Sequence, residues 1–449
     1  MPSLYRIFFA SGRVFTPNQL PPSSSDCARL RCVGKPDQVD SKVTLPGRRT
    51  VKTAGGFRTN SYSFKPRRKT RGTEPSGFLD TMQVTFCRLR TRQWCFIVFN
   101  VLLFHALLFG ADFIEEYFLQ AAPFSYTDAK FMEIRERARN LDARLMNGNV
   151  SESYLISGPD LCSGRDVFLL SVVFSDPENK TRRDVIRRTW GNVTAFKGRV
   201  VLTIFALGRP VSEFTQSEVT NESRIHRDIV EGRFLDAYRN ETLKMIMVMK
   251  WAVTFCPNVR FILKTDQSMF VNINSLADHL LGLDTNSEDL YTGRVVHQSV
   301  PDRNPGSLNF IPWSSYPEAY YPDYCGGSAM VVSQDVARKV YLVSKEVPTS
   351  VPSDAFIGIC AEKAGVLPVH SARFSGSRHI RYNRCCYEFI FSSLVEKDEE
   401  LSLAWKDMTA GEECTIMKTY YGLVSCKVWA YIDKFSYFNK DETKHMLSF

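Results

Sequence analysis

Two ionisable side chains, Lys264 and Asp266, stand together at the end of a short β-type run. The stretch Phe261–Asn272 reads FILKTDQSMFVN. Val259, Phe261, Ile262 and Leu263 deliver the Lys and the Asp onto a loop, and a second apolar run, Met269, Phe270 and Val271, follows at once. An acid presented at the carboxyl edge of a strand is where open α/β sheets place nucleotide chemistry. A single Asp on a surface turn is common, so the weight of the pattern comes from the rest of the chain. Metal chemistry has little local support. His226, His279, His297, His370 and His379 show no metal-ligand spacing with one another, and no C-x-x-C pair points to zinc.

The elements that must position this stretch follow a regular rhythm. Val167–Phe174, VFLLSVVF, is a continuous apolar run of buried parallel-strand character, bounded by SDPENK. The helix-like DVIRRTWG comes next, then Arg199–Leu207, RVVLTIFAL, another buried strand. Asp236–Phe255 carries apolar residues at helical spacing and leads into the strand before Lys264. Strand, helix, strand, helix, strand predicts a doubly wound α/β domain, set here at residues 161–406. Trp190 and Trp251 are expected in its core. Arg187 and Arg188 read on their own as a solvated helix face capped by Asp184. No internal repeat occurs, and residues 407–449 form a C-terminal extension whose Cys414 and Cys426 suggest a disulfide-closed hairpin.

Charge divides the chain. The net charge is +9, yet residues 1–92 hold 18 Lys/Arg against 5 Asp/Glu, so the remainder is acidic by 4. A nucleic-acid surface is therefore not expected on the folded part. Residues 1–93 read as a basic, disordered tail, rich in Ser and Pro, with KPRRKTR at Lys65–Arg71. Met82 opens a short tail of its own, and a start there is expected to give an equally functional protein.

Residues 94–111, WCFIVFNVLLFHALLFGA, carry no formal charge and would span about 27 Å as a helix, near the hydrocarbon thickness of a bilayer. Arg88, Arg90 and Arg92 precede them, and Asp112, Glu115 and Glu116 follow. That asymmetry predicts a single-pass anchor with a cytosolic N-terminus and everything after residue 112 across the membrane. A buried core helix is the plainer alternative. A cleaved signal peptide lacks its small-residue site. Residues 112–160 read as a stem. Sequons begin at Asn149, Asn179, Asn192, Asn221 and Asn240, all beyond the anchor, and eight of the 12 cysteines also lie there, as an oxidising lumen requires.

Five ordered blocks then carry a family resemblance. Arg182–Trp190, RRDVIRRTW, is similar to R-x-x-I-R-x-T-W. FLDAYRNETLKM, Phe234–Met245, is similar to D-F-x-D-x-Y-x-N-L-T-x-K. YPDYCGGSAMVVS, Tyr321–Ser333, and SDAFIGICAEKAGV, Ser353–Val366, resemble Y-P-x-Y-C-x-G-x-x-Y-V-x-S and E-D-V-x-x-G-x-C-x-x-x-x-G-V. Cys385–Trp405 resembles C-x-Y-x-x-x-x-x-x-H…W. Over about residues 165–405 the chain resembles the β1,3-galactosyltransferases and β1,3-N-acetylglucosaminyltransferases, Golgi enzymes with a GT-A fold.

The resemblance implies an inverting transfer of galactose or N-acetylhexosamine from a UDP-sugar to a glycan hydroxyl on glycoprotein or glycolipid. It implies Asp354 as catalytic base and Asp266 at the nucleotide. It also implies Mn²⁺, but here the two ligand positions hold Ser268 and Leu394. A neutral hydroxyl does not supply a carboxylate's charge, and Leu cannot ligate. Without the metal, cations such as Arg187, Arg188 or Lys264 are expected against the diphosphate. Two readings stay open: an enzyme that works without the metal, and a catalytically silent binding or partner subunit. Asp354 also reads as a helix-capping residue after Pro-Ser. Donor, acceptor and oligomeric state, homo- or hetero-, are not specified.

Overall fold

The computed structural model describes residues 91–118, 128–141, 153–283, 288–410 and 414–446. Residues 1–90 of the basic tail, with Met82, and the sequon at Asn149 lie outside them. The first helix, α1 (Thr91–Tyr117), contains the apolar stretch, and its side chains face outward: Phe96 is 69% exposed and Leu107 68%. A core helix would bury them, so α1 fits an anchor.

α2 (Ala129–Arg139) starts at Asp128, whose side chain accepts from the Lys130 amide, and it buries Ile134 and Ala138. β1 (Tyr154–Ile156) then pairs antiparallel with β5 (Ile229–Leu235). The stretch read as stem thus contributes a helix and an edge strand to the folded unit. Between them run β2 (Val167–Phe174), α3 (Lys180–Arg188), β3 (Ala195–Phe196), β4 (Arg199–Arg209) and α4 (Glu213–His226). α5 (Glu241–Phe255), β6 (Phe261–Asp266), β7 (Met269–Val271), α6 (Ile273–Gly282) and β8 (Tyr291–Val296) follow. The rest comprises β9 (Tyr324–Ser333), α7 (Gln334–Val343), α8 (Ser353–Lys363), β10 (Val369–His370), α9 (Arg384–Tyr387), β11 (Ser392–Leu394), α10 (Asp398–Ala410) and α11 (Ile416–Met446).

The main sheet runs β1-β5-β4-β2-β6-β9-β8-β10, with β3 attached to β4. Its central strands β5, β4, β2 and β6 are parallel, and β9 is antiparallel to both β6 and β8. This mixed, mostly parallel sheet with helices on both faces is the GT-A-like architecture expected.

The continuous apolar strands follow from that sandwiching, because alternate side chains on both faces are buried. Leu170, Val172 and Phe174 share one core with Trp251 of α5 and Phe356 of α8. Leu169 and Val173 share the other with Ile186 of α3, Trp190 and Leu276 of α6. Both tryptophans are fully buried.

Among the described residues, disulfides join Cys162 to Cys256, Cys385 to Cys414 and Cys386 to Cys426, while Cys325 and Cys360 stay free and buried. The expected C-terminal hairpin is instead the helix α11. Cys414 and Cys426 do not close on each other because each reaches the adjacent cysteines of α9.

Candidate active site

The site forms where β6 ends. Lys264 lies in the strand, 1% exposed, and turns its ammonium toward the acids at the strand's edge. Its Nζ donates to Asp266 Oδ1 at 2.6 Å and to the Gly327 carbonyl of β9. Glu241 Oε1, from the first turn of α5, is 3.7 Å away, and the Phe174 ring lies beneath, 4.5 Å from Nζ. Burial alone would disfavour the charged lysine. The carboxylates of Asp266, Glu241 and Asp354 outweigh it and hold the Lys264 pKa above its ordinary value. Lys264 is therefore a charged pin at the centre of three acids.

Asp354 reaches this cluster from the first turn of α8. Two glycines permit the approach. A Cβ on Gly327 would lie 3.3 Å from that of Asp354, and one on Gly358 would come within 2.5 Å of Tyr324 Cβ. Thr242 Oγ1 donates to the Val351 carbonyl at 2.6 Å, tying the start of α5 to the segment before α8. Asp354 Oδ1 accepts from the Ala355 amide at 2.9 Å, so the carboxylate serves its helix end as well as the cleft. Burial pushes its pKa above the usual carboxylate range, although that hydrogen bond and the Lys264 charge pull the other way. A raised pKa makes the carboxylate a better proton acceptor at near-neutral pH.

The turn after Asp266 shows what became of the expected metal site. β7 pairs with β11 so that Leu394 lies opposite Met269, and the Val395 amide donates to the Ser268 carbonyl at 2.8 Å. The two ligand positions are thus neighbours in space, though 126 residues of chain separate positions 268 and 394. One offers an aliphatic side chain and the other a neutral hydroxyl. Gln267 folds away, accepting from Ser175 Oγ at 2.8 Å and donating to Asp176 Oδ2 at 2.5 Å. Neither His370 nor His379 fills the gap, for His379 pairs with Glu400 at 2.8 Å and His370 faces Glu115 of α1 at 2.9 Å. This donor set does not fit Mn²⁺.

Lys264, Asp266 and Asp354 are brought together, but Arg187 is not with them. Its guanidinium holds both oxygens of Asp228, at 2.8 and 2.9 Å, together with Asp184 at 2.8 Å and Glu222 at 2.7 Å. The helix face read as solvated is largely inward. Arg183 is fully buried against Glu222, and Arg188 alone of the four arginines is exposed. The cap is Asn179, not Asp184. Arg182, overlooked in the sequence, is 4% exposed and donates to the Gln267 carbonyl at 2.7 Å, to Asp398 Oδ1 at 2.6 Å and to the Val395 carbonyl. It clamps the turn to β11 and α10. Its position in RRDVIRRTW was visible; its contacts needed the fold.

Glu241 and Gly327 were also missed as site residues, Glu241 because it sits inside a sequon. Of the described sequons, Asn192 and Asn221 are exposed, whereas Asn179 caps α3 and Asn240 Nδ2 donates to the Leu235 carbonyl.

Comparison with known proteins identifies the family. A family model described as galactosyltransferase matches residues 181–372. The human protein "Beta-1,3-galactosyltransferase 9" is 56% identical over 368 residues, covering 82% of this chain and 99% of its own. A Xenopus laevis "Lactosylceramide 1,3-N-acetyl-beta-D-glucosaminyltransferase B" is 36% identical over 63% of this chain and 77% of its own. The apo structure of the WbbM bifunctional glycosyltransferase aligns at 10% identity and a TM-score of 0.28 over 59% of this chain and 51% of that one, a likeness too slight to carry an argument. On the near full-length match to the human relative, the chain belongs to the galactosyltransferase family of glycosyltransferases.

Proposed function

We propose that the chain transfers galactose or N-acetylhexosamine from a UDP-sugar to a glycan hydroxyl, in a β1,3 linkage with inversion, and without a bound Mn²⁺. The observation that carries the reading is the convergence of Lys264, Asp266 and Asp354 at the end of β6. Asp354 takes the proton of the acceptor hydroxyl as its oxygen attacks the anomeric carbon, and the bond from that carbon to the UDP oxygen breaks. Asp266 and Lys264 border the nucleotide. The charged lysine also keeps Asp354 ionised, and thus able to accept the proton. The apolar α1 supports placement as a single-pass type II protein, and the sequons and disulfides support a lumenal domain in the Golgi.

The test is UDP titration in EDTA and in Mn²⁺, with turnover of wild type and Asp354→Asn on a panel of UDP-sugars and acceptors. Equal UDP affinity in both media, with turnover lost by a factor on the order of 10²–10⁴ in the variant, is expected. A large Mn²⁺ dependence overturns the metal-free reading. A second reading, a silent binding subunit, rests on the same Ser268 and Leu394. Intact UDP binding with no turnover by wild type would select it.

A further inference from the structure

α11 is a helix with two unlike faces. Gly422 and Cys426 are buried against the domain, and a Cβ on Gly422 would come within 2.7 Å of Asn383 Oδ1 and 3.0 Å of Cys385 Cβ. The disulfides Cys385–Cys414 and Cys386–Cys426 hold this face in place. The opposite face exposes Ile416 (60%), Met417 (68%) and Tyr421 (67%) in its first turns.

The same turns lie beside α1. Tyr420 Oη and His105 Nε2 are 2.6 Å apart with their rings stacked, and Lys427 pairs with Asp112. Both contacts join residues 315 apart in sequence, so the two helices run in the same direction and in register. Asp112 is the first charge after the apolar stretch, and His105 lies about 10 Å deeper along the helix at 1.5 Å per residue. That depth falls inside one leaflet of a hydrocarbon core about 30 Å thick.

We propose that the first turns of α11 enter the lumenal leaflet beside the anchor, with bilayer lipid covering Ile416, Met417 and Tyr421. The inference rests on α1 spanning the membrane. An apolar, aromatic face left uncovered by its own domain, yet registered against the spanning part of α1, has lipid as its natural partner. By the same register Tyr421 lies opposite Ala106, about 9 Å below Asp112. The domain would then be held to the membrane at two points, the second secured by two disulfides.

Photocrosslinking of the full chain in phosphatidylcholine vesicles tests this. A benzophenone amino acid is placed singly at Met417, Tyr421, Leu103 of α1 and the exposed Val211 near the start of α4. Lipid adducts at Leu103, Met417 and Tyr421, with none at Val211, are expected. Adducts at Leu103 alone overturn the proposal, as do adducts joining Met417 or Tyr421 to a second copy of the chain. No lipid adduct even at Leu103 overturns the spanning reading of α1 on which it depends.

Discussion

Replacing Lys264 by Met keeps the length of the side chain and removes the charge that three carboxylates share. With its ammonium gone, Asp266, Glu241 and Asp354 face one another in a half-buried pocket. Breaking a buried pair costs about 3–5 kcal/mol, and the low end, about 3 kcal/mol, applies because Asp266 remains 35% exposed to screening water. For a domain of about 250 residues with an unfolding entropy near 2.1 cal/mol/K per residue, that loss lowers the melting midpoint by roughly 6 °C at pH 7.5.

The pH dependence carries the sharper signature. In wild type the raised Lys264 pKa means that its contribution is fully present below about pH 10.5 and is lost only as pH rises through the folded value. Burial already raises the pKa values of Asp266 and Asp354, and the variant removes the Lys264 charge that lowers them, so the folded state binds more protons than the unfolded one. Its stability then rises as pH falls, by about 1.4 kcal/mol per pH unit for each extra proton that the folded state holds. Thermal melts of the full chain in detergent at pH 7.5 and 5.5, followed by tryptophan fluorescence, measure both effects. A deficit that is smaller at pH 5.5 is expected. A midpoint change below about 2 °C, or the same deficit at both pH values, refutes the account of Lys264 as the pin of the site.

The other predictions concern how the base and the turn are held. Because burial raises the Asp354 pKa, the acid limb of kcat/KM should lie above the ordinary carboxylate value of about 4, and activity should fall as pH drops through it. A limb at or below that value removes Asp354 as base. Gly358→Ala forces α8 off Tyr324, so turnover should drop on the order of 10²-fold while UDP affinity, measured by calorimetry, is retained. Arg182→Ala leaves the Gln267 and Val395 carbonyls without their clamp. It should cost about 2 kcal/mol of stability and weaken UDP binding, with unchanged affinity counting against the clamp.

Much of this molecule was legible from local pattern. VFLLSVVF and RVVLTIFAL are strands because runs of apolar residues that long are stable only where both faces are covered. The charge-free stretch from Trp94 to Ala111 dictates an outward apolar helix, and FILKTDQSMFVN gives the strand, the turn and the second strand of the site. The departures at Ser268 and Leu394 were also plain as letters. What the chain order could not supply is which distant groups meet. Pairing of β7 with β11 makes positions 268 and 394 neighbours. The packing of α8 on β9, allowed by Gly327 and Gly358, carries Asp354 to Lys264. The packing of α3 against α4 and the turn before β5 turned Arg187 from a candidate phosphate ligand into the partner of Asp184, Glu222 and Asp228. Residue type and local period determined the elements and the chemistry they could carry. Which charges ended up facing one another depended on side-chain contacts between segments far apart in sequence, and only the tertiary structure decided them.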